Sequence, residues 1–357
     1  MKKLSRFFSE KLNKLTPYTP GEQPKDMKYI KLNTNESPFK PSKNAASKAA
    51  LAANELNLYP DPECRELTGK VSDMLGVDFD EVLLTNGSDE ILNFAFMAFC
   101  DHKTGAAFAD ITYGFYPVFA QLNNVDYTEI PLKKDFTIDI SDYFGINKTI
   151  FIANPNAPTG IALKQSEIEE IIRENPNNIV VVDEAYVDFG AESCVPLIKK
   201  YDNLLITQTF SKSRSMAGAR LGFGVGSKEL IKDLNTVKYS TNPYNINKMT
   251  MAAGLGILED KQEVLNNCQQ IIKNREYTEN ELKKLGFELT DSKTNFVFAK
   301  HPDINGKEVY LKLKQRGILV RHFDKEEISD YNRITIGTLE QMETLINTLK
   351  IILEENK

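Results

Sequence analysis

The chain has no tryptophan, only three histidines and only four cysteines in 357 residues. The cysteines, Cys64, Cys100, Cys194 and Cys268, stand far apart and form no CxxC pair. Neither a disulfide framework nor a metal cluster is expected, no metal ligand is assigned, and a reducing cytoplasm fits best. No run is long and apolar enough to span a membrane. The basic opening MKKLSRFFSEKLNKL has no continuous apolar region and reads poorly as a signal peptide. Its Leu4, Phe7, Phe8, Leu12 and Leu15 fit one face of a short helix instead. An excess of positive charge is missing too: the formal net charge is -6, so there is no general electrostatic case for nucleic acid. No repeat or low-complexity tract is present.

What the sequence does have is a globular composition, 41% hydrophobic and 26% charged, and a length that suits one large domain or two ordinary ones. From about residue 80 to 226, seven β-rich runs alternate with helical patterns. They are Glu81–Thr85, Ala106–Asp110, Asp126–Leu132, Thr149–Ala153, Ile179–Asp183, Leu204–Thr209 and Leu221–Gly226. Several are continuously apolar, as strands covered on both faces must be. An α/β architecture with a mostly parallel sheet is expected. After Pro243 a polar, helix-favouring stretch runs from about Asn247 to Leu285. Then come NFVFAK, EVYLKLKQRG, ILVRHF, RITIG and a final helical LEQMETLINTLKIILEEN. This texture predicts a smaller α+β domain, with a boundary near residue 245.

Four short segments could carry chemistry. In TNGSDEIL (Thr85–Leu92) a strand ends in Asn-Gly and a helix starts at about Ser88. Its free amides and positive end suit an anion, although an ordinary turn with Ser88 as N-cap also fits. NPNAPTG (Asn154–Gly160) is a rigid turn at the carboxyl end of a strand, where α/β sheets bind ligands. IVVVDEAY puts Asp183 and Tyr186 at another such end. A carboxylate there needs a cationic or protonated partner, or else it caps a helix. TFSKSRSMAGAR puts Lys212 among hydroxyls, with Arg220 eight residues on. A partly desolvated lysine beside cationic groups becomes an amine nucleophile, while Thr209, Ser211 and Arg220 could cradle a phosphate. The following LGFGVG lacks the GxGxxG spacing of a dinucleotide fingerprint. Together, a nucleophilic amine, a carboxylate, a phenol and an anion cradle are what pyridoxal 5'-phosphate requires.

The order TNGSDE, ITYGFY, NPNAPTG, VVDEAY, TFSKSRSMAGARLGF and RITIGT resembles the fold type I pyridoxal-phosphate aminotransferases of class I and II. LTPYTPGEQP, KLNTNESPF and LYPDP narrow the resemblance to the histidinol-phosphate aminotransferase branch, over almost the whole chain. The resemblance implies an N-terminal segment (1–45) joining the small domain, a large cofactor-binding domain (46–245) and a small C-terminal domain (246–357). It implies that Lys212 holds the cofactor's aldehyde, Asp183 pairs with the ring nitrogen, Tyr186 hydrogen-bonds the phenolic oxygen and Tyr113 stacks on the ring. The amides of Ser88 and Asp89, with Thr209, Ser211 and Arg220, would hold the phosphate, and Tyr59 would reach it from the partner subunit of a homodimer. Arg333 would bind a substrate carboxylate, with Tyr18 and Arg321 at the substrate's distal end. The implied activity is transamination between histidinol phosphate and 2-oxoglutarate in histidine biosynthesis. The rivals are an aromatic amino-acid aminotransferase, a decarboxylase of a phosphorylated amino acid and a non-catalytic cofactor-binding regulator. Three departures stand out. Ala157 replaces the usual second asparagine of NPNNPTG, so Asn156 compensates or Tyr186 acts with less help. Ile111 replaces a proline, and Arg214 stands where an apolar residue is frequent.

Overall fold

The computed structural model describes residues 5–13 and 15–356. Twelve strands follow one another along it: β1 (Ile30–Leu32), β2 (Val82–Thr85), β3 (Ala106–Ala109), β4 (Tyr127–Ile130), β5 (Thr149–Ala153), β6 (Val180–Asp183), β7 (Leu204–Thr209), β8 (Gly222–Gly226), β9 (Glu288–Leu289), β10 (Phe296–Lys300), β11 (Ile318–His322) and β12 (Asn332–Thr335). All seven β-rich runs of the sequence are strands, and they form one sheet in the order β2-β8-β7-β6-β5-β3-β4. Only β8 runs against its neighbours; the remaining pairings are parallel. Alternate residues face opposite layers. Val180 and Val182 enter a core with Ile168, Leu204 and Phe223, whereas Val181 enters a second core with Phe96, Phe108 and Leu205. Covering both faces explains why these strands read as unbroken apolar runs.

The second sheet is mixed, in the order β1-β11-β12-β10-β9. β1 pairs in parallel with β11, Ile30 opposite Ile318. A separate core gathers Leu32, Val297, Val320, Ile334 and Leu345 between this sheet and the helices Lys261–Lys284 and Leu339–Glu354.

Three regions need closer description. The polar stretch after Asn247 is two helices, Lys248–Glu259 and Lys261–Lys284, breaking at Asp260. They serve different cores: Ile257 packs with Leu67 and Val71 under the large sheet, while Cys268, Ile271 and Leu282 pack under the small one. Gly256 permits the first docking, since a Cβ there would lie 2.6 Å from the Cα of Ala45. Residues 246–259 therefore pack with the large sheet, beyond the expected boundary at 245. Near the N-terminus the described residues hold only a 3-10 turn, Glu10–Leu12, with Phe7 81% exposed. An amphipathic face forms a lasting helix only when something covers it. Leu4 lies outside the described residues. Among the described residues no helix is long and apolar enough to cross a membrane.

Candidate active site

The carboxyl ends of β2, β3, β5, β6 and β7 and the start of β8 meet at one rim of the large sheet. A cavity of about 320 Å³ lies there, lined by Ser88, Asp89, Tyr113, Ala157, Asp183, Tyr186, Thr209, Ser211, Lys212 and Arg220. Each lies at a strand end or in the loop or helix start beside one, so sheet register fixes their spacing. An outer chamber of about 520 Å³ shares Thr34, Tyr113, Ala157, Tyr186 and Lys212 with it and adds Tyr18, Arg321 and Arg333.

Asp183 ends β6 and is 5% exposed. Its Oδ1 accepts from the Ala185 amide at 3.1 Å and its Oδ2 from the Tyr116 hydroxyl at 3.3 Å. Burial nonetheless raises the carboxyl to about 7, with the Asp89 charge adding to the rise. Two donors do not replace lost water, so the site favours a positive partner for this oxygen pair or a proton on it. Lys212 donates to the Thr34 carbonyl at 3.4 Å, and its Nζ lies 5.7 Å from the centre of the Tyr186 ring. The Tyr186 oxygen accepts from Asn35 Nδ2 at 2.9 Å.

The helix Ser88–Phe99 points its N-terminus into the cavity; its first amides have no carbonyl within the helix to bond. Its cap is Gly87 at φ +86, rather than Ser88. Two glycines make room for the cradle. A Cβ on Gly87 would come within 2.7 Å of Arg220 Nη2, and one on Gly222 within 2.4 Å of the Ser88 nitrogen. Arg220, itself at φ +56, donates to Asp89 Oδ2 at 3.0 Å and to Ser211 Oγ at 3.5 Å. Thr209 and Ser211 hydroxyls lie 3.0 Å apart. The Tyr113 hydroxyl donates to Asp89 Oδ1 at 2.7 Å, and burial with the Asp89 charge raises this phenol well above its usual range.

In the outer chamber, Arg333 donates to the Asn33 carbonyl at 3.0 Å and lies over Phe296 at 5.3 Å. Among the described residues its buried Nε has no hydrogen-bond partner, and burial lowers its pKa. Arg321 donates to the carbonyls of Thr19 and Pro20. Tyr18 stacks on Phe115 at 4.2 Å. Arg333 and Arg321 thus line the chamber with no ion-pair partner among the described residues, a setting that suits a carboxylate or phosphate.

Two residues of the expected set do not line this chain's cavity, Tyr59 being the one expected to serve a partner subunit's. Asn156 does not line the cavity. Its Nδ2 donates to the Ile111 carbonyl and Thr159 Oγ1, and its Oδ1 accepts from Thr112, so the amide is spent holding the turn. It cannot make up for Ala157 in this arrangement, and Asn35 is the residue that reaches the Tyr186 phenol. Tyr59 is 80% exposed and stacks on Tyr244 at 4.6 Å, outside its own chain's cavity. Asn35, Thr34 and Tyr116 went unassigned from sequence. KLNTNESPF marks the loop of the first two, and a second tyrosine three residues after Tyr113 marks the third, but neither pattern states a contact 67 to 178 residues away.

The profile of the family described as aminotransferase class I and II matches residues 27–349. A histidinol-phosphate aminotransferase of Brachyspira hyodysenteriae is 48% identical over 98% of this chain and 100% of its own. One of Clostridium beijerinckii is 44% identical, covering 99% of both. Among solved structures, the histidinol-phosphate aminotransferase of Sinorhizobium meliloti in complex with pyridoxal-5'-phosphate superposes with a TM-score of 0.89 over 100% of both chains at 19% identity, a likeness of fold.

Proposed function

The chain belongs to the class I and II aminotransferases, and from that membership we propose that it exchanges an amino group between histidinol phosphate and 2-oxoglutarate, in histidine biosynthesis, using pyridoxal 5'-phosphate. The observation that carries this is the meeting of Lys212, Asp183, Tyr186 and an anion cradle in one cavity that opens onto Arg321 and Arg333. The names of the relatives at 44–48% identity point the same way.

The residues fit the cofactor on physical grounds. A buried carboxyl raised to about 7 suits a cationic ring nitrogen, which would restore its charge. The helix end, Arg220, Thr209 and Ser211 suit a phosphate, and the close approaches at Gly87 and Gly222 keep that corner free of side chains. When bound, the cofactor supplies an electron sink that makes the α-proton of an attached amine acidic.

The protein's part follows from its own groups. Lys212 would hold the cofactor through its Nζ and, once displaced by substrate, its free amine would take up the substrate's α-proton and return it. Asp183, fixed by Ala185 and Tyr116, would balance a protonated ring nitrogen. Tyr186, tethered by Asn35, would donate to the phenolic oxygen, and Tyr113 would face the ring. The Ser88 and Asp89 amides with Thr209, Ser211 and Arg220 would hold the phosphate, Arg220 giving up part of its pairing with Asp89. Arg333 takes a carboxylate, and Arg321 with Tyr18 takes the distal end, so one chamber serves both a phosphate ester and a dicarboxylate.

A homodimer belongs to the same proposal. Leu56, Leu58 and Tyr59 are more than half exposed beside Tyr244, an apolar patch that a second subunit would cover while Tyr59 enters its cavity.

Steady-state kinetics on three amines tests the substrate. Histidinol phosphate should exceed both phenylalanine and unphosphorylated histidinol in kcat/KM by about 10–100-fold, the worth of a charge-assisted pair. Equal or better use of phenylalanine would move the chain to the aromatic aminotransferases. Release of carbon dioxide from a phosphorylated amino acid would make it a decarboxylase.

A further inference from the structure

A second cavity, about 740 Å³ and separate from the one at Lys212, lies behind the Lys212 turn, between the helices Arg65–Leu75, Lys248–Glu259 and Lys261–Lys284. Its volume is in the range of small-molecule sites. Its innermost charged group is Arg214, the residue that departs from the apolar type frequent in this motif. The side chain is 9% exposed. One edge of its guanidinium is occupied: Nη1 donates to Asp188 Oδ2 at 3.2 Å, Ser213 Oγ at 3.3 Å and the Thr209 carbonyl at 3.5 Å. The other edge is not. Nε has no partner among the described residues, and Nη2 meets only the Met74 sulfur at 3.6 Å, a weak acceptor. A largely buried arginine whose second fork meets only a thioether, at the edge of a cavity, can receive two carboxylate oxygens.

The rest of the lining narrows the ligand. Lys70 and Lys261 add positive charge at the mouth, and neither has an ion-pair partner among the described residues; Asp73 and Asp188 are the acids of the lining. With Arg214 that leaves three positive groups against two negative. The apolar wall is aliphatic, made by Val187, Ile257, Leu258, Val264 and Ile272, with no aromatic ring among the lining residues. Stacking is therefore not offered, and a flexible hydrocarbon chain is what the wall would cover.

We propose that this cavity is a ligand site for an aliphatic carboxylate, whose head pairs with the free Nε/Nη2 edge of Arg214 and whose chain lies along the aliphatic wall. The site shares the Lys212 turn without sharing any residue with the Lys212 cavity.

Isothermal titration of octanoate into the full-length, cofactor-loaded protein tests it, with octanol as the uncharged control. The expected result is a saturable octanoate-binding phase, absent with octanol, that persists when the Arg333 edge is removed. Arg214→Met should weaken octanoate at least about tenfold, as loss of a charged hydrogen-bonded pair does. Arg333→Gln should leave it unchanged. Leu265→Trp, at a half-exposed position of the rim, should also weaken it by filling the entrance, and it decides the matter should Arg214→Met not fold. Absence of binding to the wild type, unchanged affinity in both Arg214→Met and Leu265→Trp, or loss in Arg333→Gln instead would each overturn the proposal.

Discussion

Asp183→Asn should make the cofactor-stripped protein more stable and the enzyme nearly inactive. In the folded chain burial raises Asp183 from 3.8 to about 7; in the unfolded chain it titrates at about 3.9. Between these values the folded state holds a proton that the unfolded state has released. Stability must then fall as pH rises from about 4 to about 7, and the whole deficit is present above about pH 7. A shift of about three units at about 1.36 kcal/mol each gives an upper bound of about 4 kcal/mol. Asparagine keeps an acceptor for the Ala185 amide and carries no charge to desolvate. Urea unfolding of the stripped proteins should show the Asp183→Asn variant stabilised by about 1–4 kcal/mol at about pH 8, with little difference at about pH 4. Part of the pH slope should survive in the variant, because burial also raises Glu184 to about 7. In turnover the same change should cost about 10²–10³-fold, since an amide cannot balance a protonated ring nitrogen. A variant no more stable than wild type at about pH 8 would refute the burial argument, and near-normal turnover would refute the pairing.

Lys212→Ala should abolish turnover, and borohydride reduction of the wild type followed by peptide mapping should place the cofactor on Lys212; a label on another lysine sinks the assignment. Arg321→Ala should shrink the preference for histidinol phosphate over histidinol about tenfold or more while leaving cofactor retention on desalting intact; an unchanged preference would remove Arg321 from the substrate site. Gly222→Ala should cost about 1–3 kcal/mol and loosen cofactor retention, because all three atoms the new Cβ meets, Ser88 N at 2.4 Å, Gly87 C at 2.6 Å and Gln208 O at 3.1 Å, are backbone and cannot rotate away. Wild-type urea midpoints in that variant would show that the strand and helix end separate easily.

The strands were legible because both their faces are buried, and the turns because reactive residues sit at consecutive strand ends. Lys212, Asp183, Tyr186 and Arg220 thus came together as the β-order implies. What was not legible depends on contacts far apart in sequence. Asn35 on Tyr186 and Tyr116 on Asp183 leave no periodic trace. The break at Asp260 hides inside a stretch that favours helix throughout, because two cores compete for it. Asn156 looked available beside Ala157, and only the positions of Ile111, Thr112 and Thr159 reveal that its amide is already committed.

The seating of β1 has a consequence for the order in which the protein can become competent. Thr34 and Asn35, which touch Lys212 and Tyr186, are held in place by late parts of the chain: β1 lies along β11, the Asn35 amide donates to Thr335 Oγ1, and Asn295 donates to the Asn35 carbonyl. On the ribosome the large sheet can be completed once β8 has emerged, well before the partners of β1 exist. A nascent chain at that stage carries the lysine and the anion cradle but no wall behind them. The walls that Thr34 and Asn35 give to the Lys212 cavity are therefore completed only when the earliest and latest strands have met.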